Sequence, residues 1–170
     1  IGNSAFSECT SLKEIVIPSS VTWIEYSTFR GCTSLKEIVI SSSVKSIGDS
    51  AFRECRSLTK VVIPTSVTSI GKNSFSNCKS IEQVKFETPS SLTFINSSAF
   101  YRCESLKQIT IPSSVEKIGC FAFHYCTSLK QVTFETPSSV SEIGDGIFED
   151  CPSLKKITIP SHLRKKIKVG

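Results

Sequence analysis

The sequence predicts an α/β fold: a curved solenoid of seven stacked coils, with a parallel sheet of short strands on the concave face and short helical or 3-10 turns, or strands, opposite. Two observations predict it. Phenylalanine recurs at intervals of 23 or 25 residues along the 170-residue chain, at Phe6, Phe29, Phe52, Phe75, Phe100, Phe123 and Phe148. Each copy also shares one pattern, I-G-x-x-A-F-x-x-C-x-S-L-x-x-I-x-I-P-x-S-V-x-x. Repeats of this period indicate units that bury their apolar faces against one another.

The segment L-x-x-I-x-I predicts a strand of about four residues. Its isoleucines alternate at period 2, so Ile15 and Ile17 face the core and Val16 faces outward. Proline follows the strand in four copies, at Pro18, Pro64, Pro112 and Pro160. A residue without an N–H prevents the ladder from continuing. The two longer copies carry residues 86–91 and 134–139 at this link, which we expect to form loops.

The segment I-G-x-x-A-F-x-x-C predicts a single helical or 3-10 turn. Residues that favour helix N-caps precede the Ala-Phe pair, namely Asn3, Ser4, Asp49, Ser50 and Asn73. Glycine recurs at the preceding corner, at Gly2, Gly48, Gly71, Gly119 and Gly144. We expect a positive φ there, although Glu25 and Asn96 hold this position in two copies.

The repeats span residues 1–163 as a single domain, because one coil has too few apolar side chains to offset its loss of entropy and must stack on its neighbours. Residues 164–170 form a basic C-terminal tail with Arg164, Lys165, Lys166 and Lys168. The chain has no methionine and begins within a repeat, so we interpret it as a fragment of a longer protein.

The net charge of +5 does not indicate nucleic-acid binding. The tail supplies four of these charges and leaves the array at +1, whereas a phosphate-binding surface needs cations along one face. No apolar run is long enough for a membrane span, and the N-terminus lacks a secretory signal pattern.

Seven cysteines occupy one column, at Cys9, Cys32, Cys55, Cys78, Cys103, Cys126 and Cys151. We interpret them as buried free thiols that act as small apolar residues, although disulfides between neighbouring coils remain geometrically possible. Cys120 lies outside this column, and His124 follows it in a spacing loosely typical of a metal site or nucleophile pair. Without a third ligand or a catalytic motif, we predict no enzyme activity, no cofactor, no metal and no small-molecule substrate.

Two outward-facing groups are candidate partner-binding sites. On the concave face, Val16, Val39 and Val62 form an apolar stripe flanked by Glu14 and Glu37, which favours a protein contact. The alternatives are that valine simply favours strands, or that the stripe packs against another domain. On the opposite face, an aromatic group is a second candidate, with packing across adjacent turns as the alternative; it contains Tyr101, Phe121, His124 and Tyr125. Trp23, with Phe94 in the same column, is a weaker third candidate.

Over residues 1 to about 163, the unit resembles the BspA-like class of leucine-rich repeats, which carries the same I-G-x-x-A-F-x-x-C-x-x-L-x-x-I-x-I-P signature. The resemblance implies a curved leucine-rich-repeat solenoid and a surface-associated protein that binds other proteins, including extracellular matrix or host surface proteins. It brings no catalytic motif. We therefore expect a protein-protein interaction module at a cell surface or outside the cell; the alternative is a structural spacer within a larger protein.

Overall fold

The computed structural model describes residues 1–163 and shows a parallel β-solenoid of about six turns. The predicted tail at 164–170 lies outside the described residues. The repeat copies are numbered here as coils 1 to 7, which begin at residues 1, 24, 47, 70, 95, 118 and 143. Coils 1 to 6 each pass through a main-sheet strand and, after a corner, a shorter strand of a second sheet. In coil 7 a 3-10 helix follows the main-sheet strand, so the seven repeat copies complete about six turns within residues 1–163. A segment of turns then leads into the next main-sheet strand.

Within residues 1–163 the strands are, in chain order, β1 (Glu14–Val16), β2 (Trp23–Ile24), β3 (Glu37–Val39), β4 (Ser46–Ile47), β5 (Lys60–Ile63), β6 (Ser69–Ile70), β7 (Gln83–Phe86), β8 (Phe94–Ile95), β9 (Gln108–Ile111), β10 (Lys117–Ile118), β11 (Gln131–Phe134), β12 (Glu142–Ile143) and β13 (Lys156–Thr158). A 3-10 helix follows at Ser161–Leu163. Odd-numbered strands form the main sheet and even-numbered strands the second sheet.

The prediction of a parallel sheet of short strands is confirmed, but the main sheet is not continuous. Its hydrogen-bonded groups are β1–β3, β5–β7 and β9–β11–β13, whereas the second sheet runs unbroken from β2 to β12. Core side chains beside the two breaks, Ile38, Ile40, Val84 and Phe86, retain 7–9% exposure. The breaks therefore loosen the packing on the main-sheet side only slightly.

The segment of turns between the second sheet and the cysteine column forms what we call the turn face. The expected helical or 3-10 turn is wrong here, because successive tight turns replace it. Alternate N–H groups bond to the next coil: Ser4 N to Tyr26 O at 2.9 Å, and Phe6 N to Thr28 O at 2.8 Å. An α-helix would direct these donors back along its own axis.

The expectation of a positive φ at the recurrent corner glycine is also wrong, because none of these glycines lies in the left-handed region. Close approach between coils explains the glycine instead. A Cβ on Gly119 would lie 2.4 Å from Ser97 N in the preceding coil, whereas a Cβ on Gly2 would meet nothing within 4 Å. The corner glycine allows one coil to lie directly on the next.

A ladder of phenylalanine rings fills the core. Adjacent rings from Phe6 to Phe148 stack with centroids 5.1–5.6 Å apart. Six of these seven rings are buried, and Phe6 in coil 1 is half-buried. The predicted alignment of identical side chains from coil to coil is therefore confirmed.

The cysteine column lies beside the phenylalanines, and its thiols donate to phenylalanine carbonyls of the preceding coil. Cys78 Sγ is 3.0 Å from Phe52 O, and the same contact recurs from coil 2 to coil 7. Burial raises the pKa of Cys32 to about 12 and that of Cys151 to about 11. The predicted burial is confirmed for six members of the column and is wrong for Cys9, which is exposed in coil 1.

Candidate interaction surfaces

The apolar stripe on the main sheet is exposed most strongly in coils 1 and 2. Val16 and Val39 are 67% and 57% exposed and stand in register on β1 and β3. Val62 is half-buried, pairs with Lys85, and lies across the first break in the sheet. The structure thus brings two of the three predicted valines together on one ladder.

The carboxylates of Glu14 and Glu37 stand next to these valines. They are paired in register on β1 and β3, and both are exposed. In the described part of the chain, neither lies within 4.0 Å of a lysine or arginine nitrogen. Like charges in neighbouring strands repel one another. This corner of the sheet therefore combines exposed apolar surface with negative charge that lacks an ion-pair partner within the described residues.

Two columns on the turn face have a left-handed backbone in every coil. The first contains Ser4, Ser27, Ser50, Asn73, Ser98, Phe121 and Gly146, with φ between 52° and 62°. The second contains Glu8, Gly31, Glu54, Asn77, Arg102, Tyr125 and Asp150, with φ between 53° and 72°. In coils 1 to 6 both columns also donate their N–H groups to the next coil, so these left-handed residues take part in the hydrogen bonding between coils.

Coil 6 departs from the other coils in the first column, because it places Phe121 where they place Ser, Asn or Gly. Non-glycine residues without a short polar side chain are uncommon at positive φ, where each costs about 1–3 kcal/mol. The small polar residues that sequence reasoning interpreted as N-caps, such as Ser4 and Asn73, mark the first column instead. The second column has no residue type that would reveal it from sequence.

The aromatic patch consists of Tyr101, Phe121, His124 and Tyr125, and the structure brings all four together. The His124 ring stacks on Tyr101 with centroids 5.5 Å apart and meets Tyr125 edge-on at 4.3 Å. Phe121 and His124 are also edge-on, at 5.4 Å. Phe121 is 41% exposed, whereas the other three side chains are half-buried. The patch is thus a packed cluster with one ring open to solvent.

Charged groups of opposite sign border the aromatic patch. The Arg102 guanidinium carbon lies 5.0 Å from the Tyr125 ring centroid and 5.6 Å from that of Tyr101, within range for cation–π attraction. On the other side, Asp150 and Glu149 each place a carboxylate oxygen 3.6 Å from a ring nitrogen of His124. The charge and hydrogen bond of Asp150 raise the pKa of Tyr125. His124 Nδ1 is buried without a hydrogen bond.

A cavity of about 610 Å³ opens beside Tyr125 on the coil 7 side. Its lining includes Phe148, Pro152 and the two acidic residues Glu149 and Asp150. One wall is thus apolar and another carries two carboxylates, each of which is more than half exposed.

The remaining candidates do not form sites of this kind. Trp23 is 56% exposed, but its column places it three coils from the half-buried Phe94. Cys120 lines a separate cavity between the second-sheet strands of coils 5 to 7, and His124 is not among its lining residues.

Across residues 1–163, no three His, Cys, Asp or Glu side chains are grouped to hold a metal ion. Over that same span, no helix has the length and apolar character that a bilayer crossing requires.

Comparison with known proteins gives one family match and several similar structures. The family described as BspA type Leucine rich repeat region matches in six copies, over residues 1–130 and 93–168. No curated protein matches the chain.

The chain is similar to the crystal structure of a Treponema pallidum leucine-rich repeat protein, with 31% identity and a TM-score of 0.82 over 98% of this chain and 73% of that one. It is also similar to a leucine-rich cell surface protein from Faecalibacterium prausnitzii, with 26% identity and a TM-score of 0.52 over 88% of this chain and 61% of that one. The pneumococcal vaccine antigen PcpA shares the fold at 19% identity and a TM-score of 0.51, over 86% of this chain and 56% of PcpA.

Proposed function

Because the chain belongs to the family of BspA type leucine-rich repeats, we propose that it is a non-catalytic module that binds another protein through its main sheet. The observation that carries this proposal is the exposure of Val16 and Val39 in register, beside the carboxylates of Glu14 and Glu37, which have no lysine or arginine nitrogen within 4.0 Å among residues 1–163. When a partner covers exposed apolar side chains, the removal of their surface from water lowers the free energy of the complex.

The charge at this corner defines the chemistry of the partner. Covering Glu14 and Glu37 without a cation would remove two carboxylates from water at a high cost. A partner surface that carries a lysine or arginine beside apolar side chains avoids this cost and relieves the repulsion between the two glutamates. The partner is therefore a protein with a mixed basic and apolar contact surface.

We place this interaction at a cell surface, with an extracellular matrix or host surface protein as the partner. Support comes from the F. prausnitzii relative, which is described as a cell surface protein, at 26% identity. The main-sheet face also suits a flat partner, because its outward side chains stand at regular positions on parallel strands.

A binding assay against immobilised matrix proteins and host cell layers tests the proposal. The double variant Val16→Thr, Val39→Thr introduces the residue that coils 5 to 7 already carry at this position, so the fold should be retained. We expect it to weaken binding at least tenfold. The matched control, Thr110→Val with Thr133→Val, makes the reverse change elsewhere on the sheet and should not. Equal binding by wild type and the Val16 and Val39 variant would contradict the proposal.

The second candidate is a structural spacer that separates or displays other domains. The observation that favours it is the uniform polar ladder of Thr110, Thr133 and Thr158 along β9, β11 and β13, which offers no apolar anchor. For a spacer, function should survive substitution of every outward column, whereas deletion of one whole coil, such as residues 47–69, should change it.

A further inference from the structure

We propose that the aromatic patch binds a second copy of this chain, through a two-fold symmetric interface centred on coil 6. The aromatic patch lies on the turn face and shares no residue with the main-sheet site around Val16 and Val39. The interface would pair Arg102 of each copy with Asp150 and Glu149 of the other, around the exposed Phe121 rings.

The backbone gives the first reason to regard the patch as a binding surface. Coils 1 to 5 place only Ser or Asn in the first left-handed column, and coil 7 places Gly there, whereas coil 6 places Phe121. The inter-coil bond from Phe121 N to Asp145 O, at 2.9 Å, holds the residue in this conformation. The Phe121 ring packs edge-on against His124 and lies close to Gly146 in coil 7, yet Phe121 remains 41% exposed. Covering the exposed part of the ring would help to offset the cost of the left-handed backbone.

The order of charge along the solenoid gives the second reason. Coil 5 carries the Arg102 guanidinium, which lies over the Tyr101 and Tyr125 rings and, in the described part of the chain, within 4.0 Å of no carboxylate. Coil 6 carries the aromatic centre, and coil 7 carries Glu149 and Asp150. The charge therefore reverses sign across coil 6.

A two-fold axis through coil 6, perpendicular to the solenoid, exchanges coil 5 of one copy with coil 7 of the other. Such an operation brings positive charge onto negative charge twice and brings the two Phe121 rings together at the axis. Self-complementarity of this kind is what a symmetric dimer interface requires. The patch meets this requirement with its own residues, so a second copy fits it without any further assumption about the partner.

The cavity beside Tyr125 gives the incoming guanidinium a place to bind. Its lining combines aromatic and apolar side chains, including Tyr125 and Phe148, with the carboxylates of Glu149 and Asp150. Aromatic rings and paired oxygens together suit a planar guanidinium, which stacks and forms bidentate hydrogen bonds. Tyrosine and arginine are also the residues that most often dominate protein interfaces.

Sedimentation equilibrium of the full chain over a wide concentration range tests the proposal. We expect the average mass of the wild type to rise from that of one chain toward twice that value, and to fall back as salt is added. The variants Arg102→Asp and Asp150→Arg should each remain at the mass of one chain. Both should fold, because each new residue type already occupies the same left-handed column in another coil.

Mixing these two variants is the decisive step. In the mixed pair, Asp at 102 faces Arg at 150 and Arg102 faces Asp150, so an equimolar mixture should recover the dimer mass. The control Glu8→Arg makes the same charge change in the same column of coil 1 and should behave as wild type. Phe121→Asn, which copies the residue of coil 4, should abolish association while the circular dichroism spectrum stays unchanged.

A wild-type mass that stays at one chain at the highest concentration would overturn the proposal. A mixture no heavier than either variant alone would do the same, as would a Phe121→Asn variant that still associates. Loss of binding to a matrix protein on substitution of Phe121, without any change in self-association, would assign the patch to another partner and also overturn it. None of these results bears on Val16 and Val39, whose variants separately test the main-sheet proposal.

Discussion

Coil 1 and coil 3 carry phenylalanine and cysteine at the same inward-facing positions, yet these side chains are buried to different degrees. Phe52 and Cys55 in coil 3 are completely buried, whereas Phe6 is half-buried and Cys9 is exposed in coil 1. Within the described residues, coil 3 packs between two coils and coil 1 packs against one. Burial in a solenoid is therefore a property of the stack, and the same residue contributes differently according to the number of its neighbours.

The largest difference between the two coils should come from the phenylalanine ladder. Phe52→Ala in coil 3 removes a ring stacked on both faces, and we expect a loss of about 4 kcal/mol in the free energy of unfolding. Phe6→Ala removes a ring stacked on one face only, and we expect about 1.5 kcal/mol. Urea denaturation of both variants measures the difference. Equal losses would show that burial does not depend on the position of a coil in the stack.

The corner glycines should show the same contrast. Gly119→Ala places a Cβ against the backbone of coil 5, so we expect a loss of about 3 kcal/mol. Gly2→Ala meets open space and should change the free energy of unfolding by less than about 0.5 kcal/mol. Thermal denaturation monitored by circular dichroism compares the two. A stable Gly119→Ala protein would mean that neighbouring coils can separate at this corner at little cost.

Raising the pH above 9 should lower the stability of the fold through its buried thiols. Burial raises the pKa of Cys32 to about 12, well above the ordinary value for a thiol, and also raises the pKa of Cys103 and Cys126. Above pH 9 the unfolded chain therefore loses thiol protons that the folded chain keeps, so stability should fall as pH rises from 9 towards 12.

Each buried thiol should contribute about 1.4 kcal/mol per pH unit to this loss of stability. Replacing Cys126 with Ala should reduce the slope by that amount. Cys9→Ala is the matched control, because it removes the exposed cysteine of the same column. Urea midpoints measured at intervals from pH 8 to pH 11 give both slopes. Identical slopes for the two variants would contradict the assignment of Cys126 to the core.

The smallest expected effect concerns the left-handed column in coil 6. Phe121→Ala removes the ring but keeps a residue that disfavours positive φ, whereas Phe121→Asn removes the ring and suits the backbone. We expect the Asn variant to be more stable than the Ala variant by about 1 kcal/mol. Differential scanning calorimetry resolves this difference. An Ala variant as stable as the Asn variant would indicate that the backbone at residue 121 can leave the left-handed region.

Much of the fold could be predicted from residue spacing. The alternation around Ile15 and Ile17 gave the main-sheet strands, and the columns of Phe and Cys gave the core, because both patterns record which side chains face inward. The turn face could not be predicted in the same way. Ser4 and Asn73 suit a helix N-cap and a left-handed residue equally well, and in the structure both take the left-handed conformation and bond to the next coil.

For the candidate surfaces, too, single outward-facing residues could be predicted from sequence, whereas their grouping could not. Outward positions such as Val16 and Val39 follow directly from the strand period. Their grouping with Glu14 and Glu37, and the separation of Val62 by a break in the sheet, depend on how the coils pair. The aromatic residues of coil 6 stood out in sequence as departures from the repeat. Their strained backbone and the opposite charges on either side became visible only in the structure.

Residue spacing alone establishes the repeat, the inward and outward columns and the membership of the core, because each side chain's direction follows from its place in the period. The residues that take positive φ, the need for the corner glycines and the positions of the breaks in the main sheet follow from the packing of coil on coil. Those features depend on hydrogen bonds and contacts between residues more than twenty positions apart. No local pattern in a single coil specifies them.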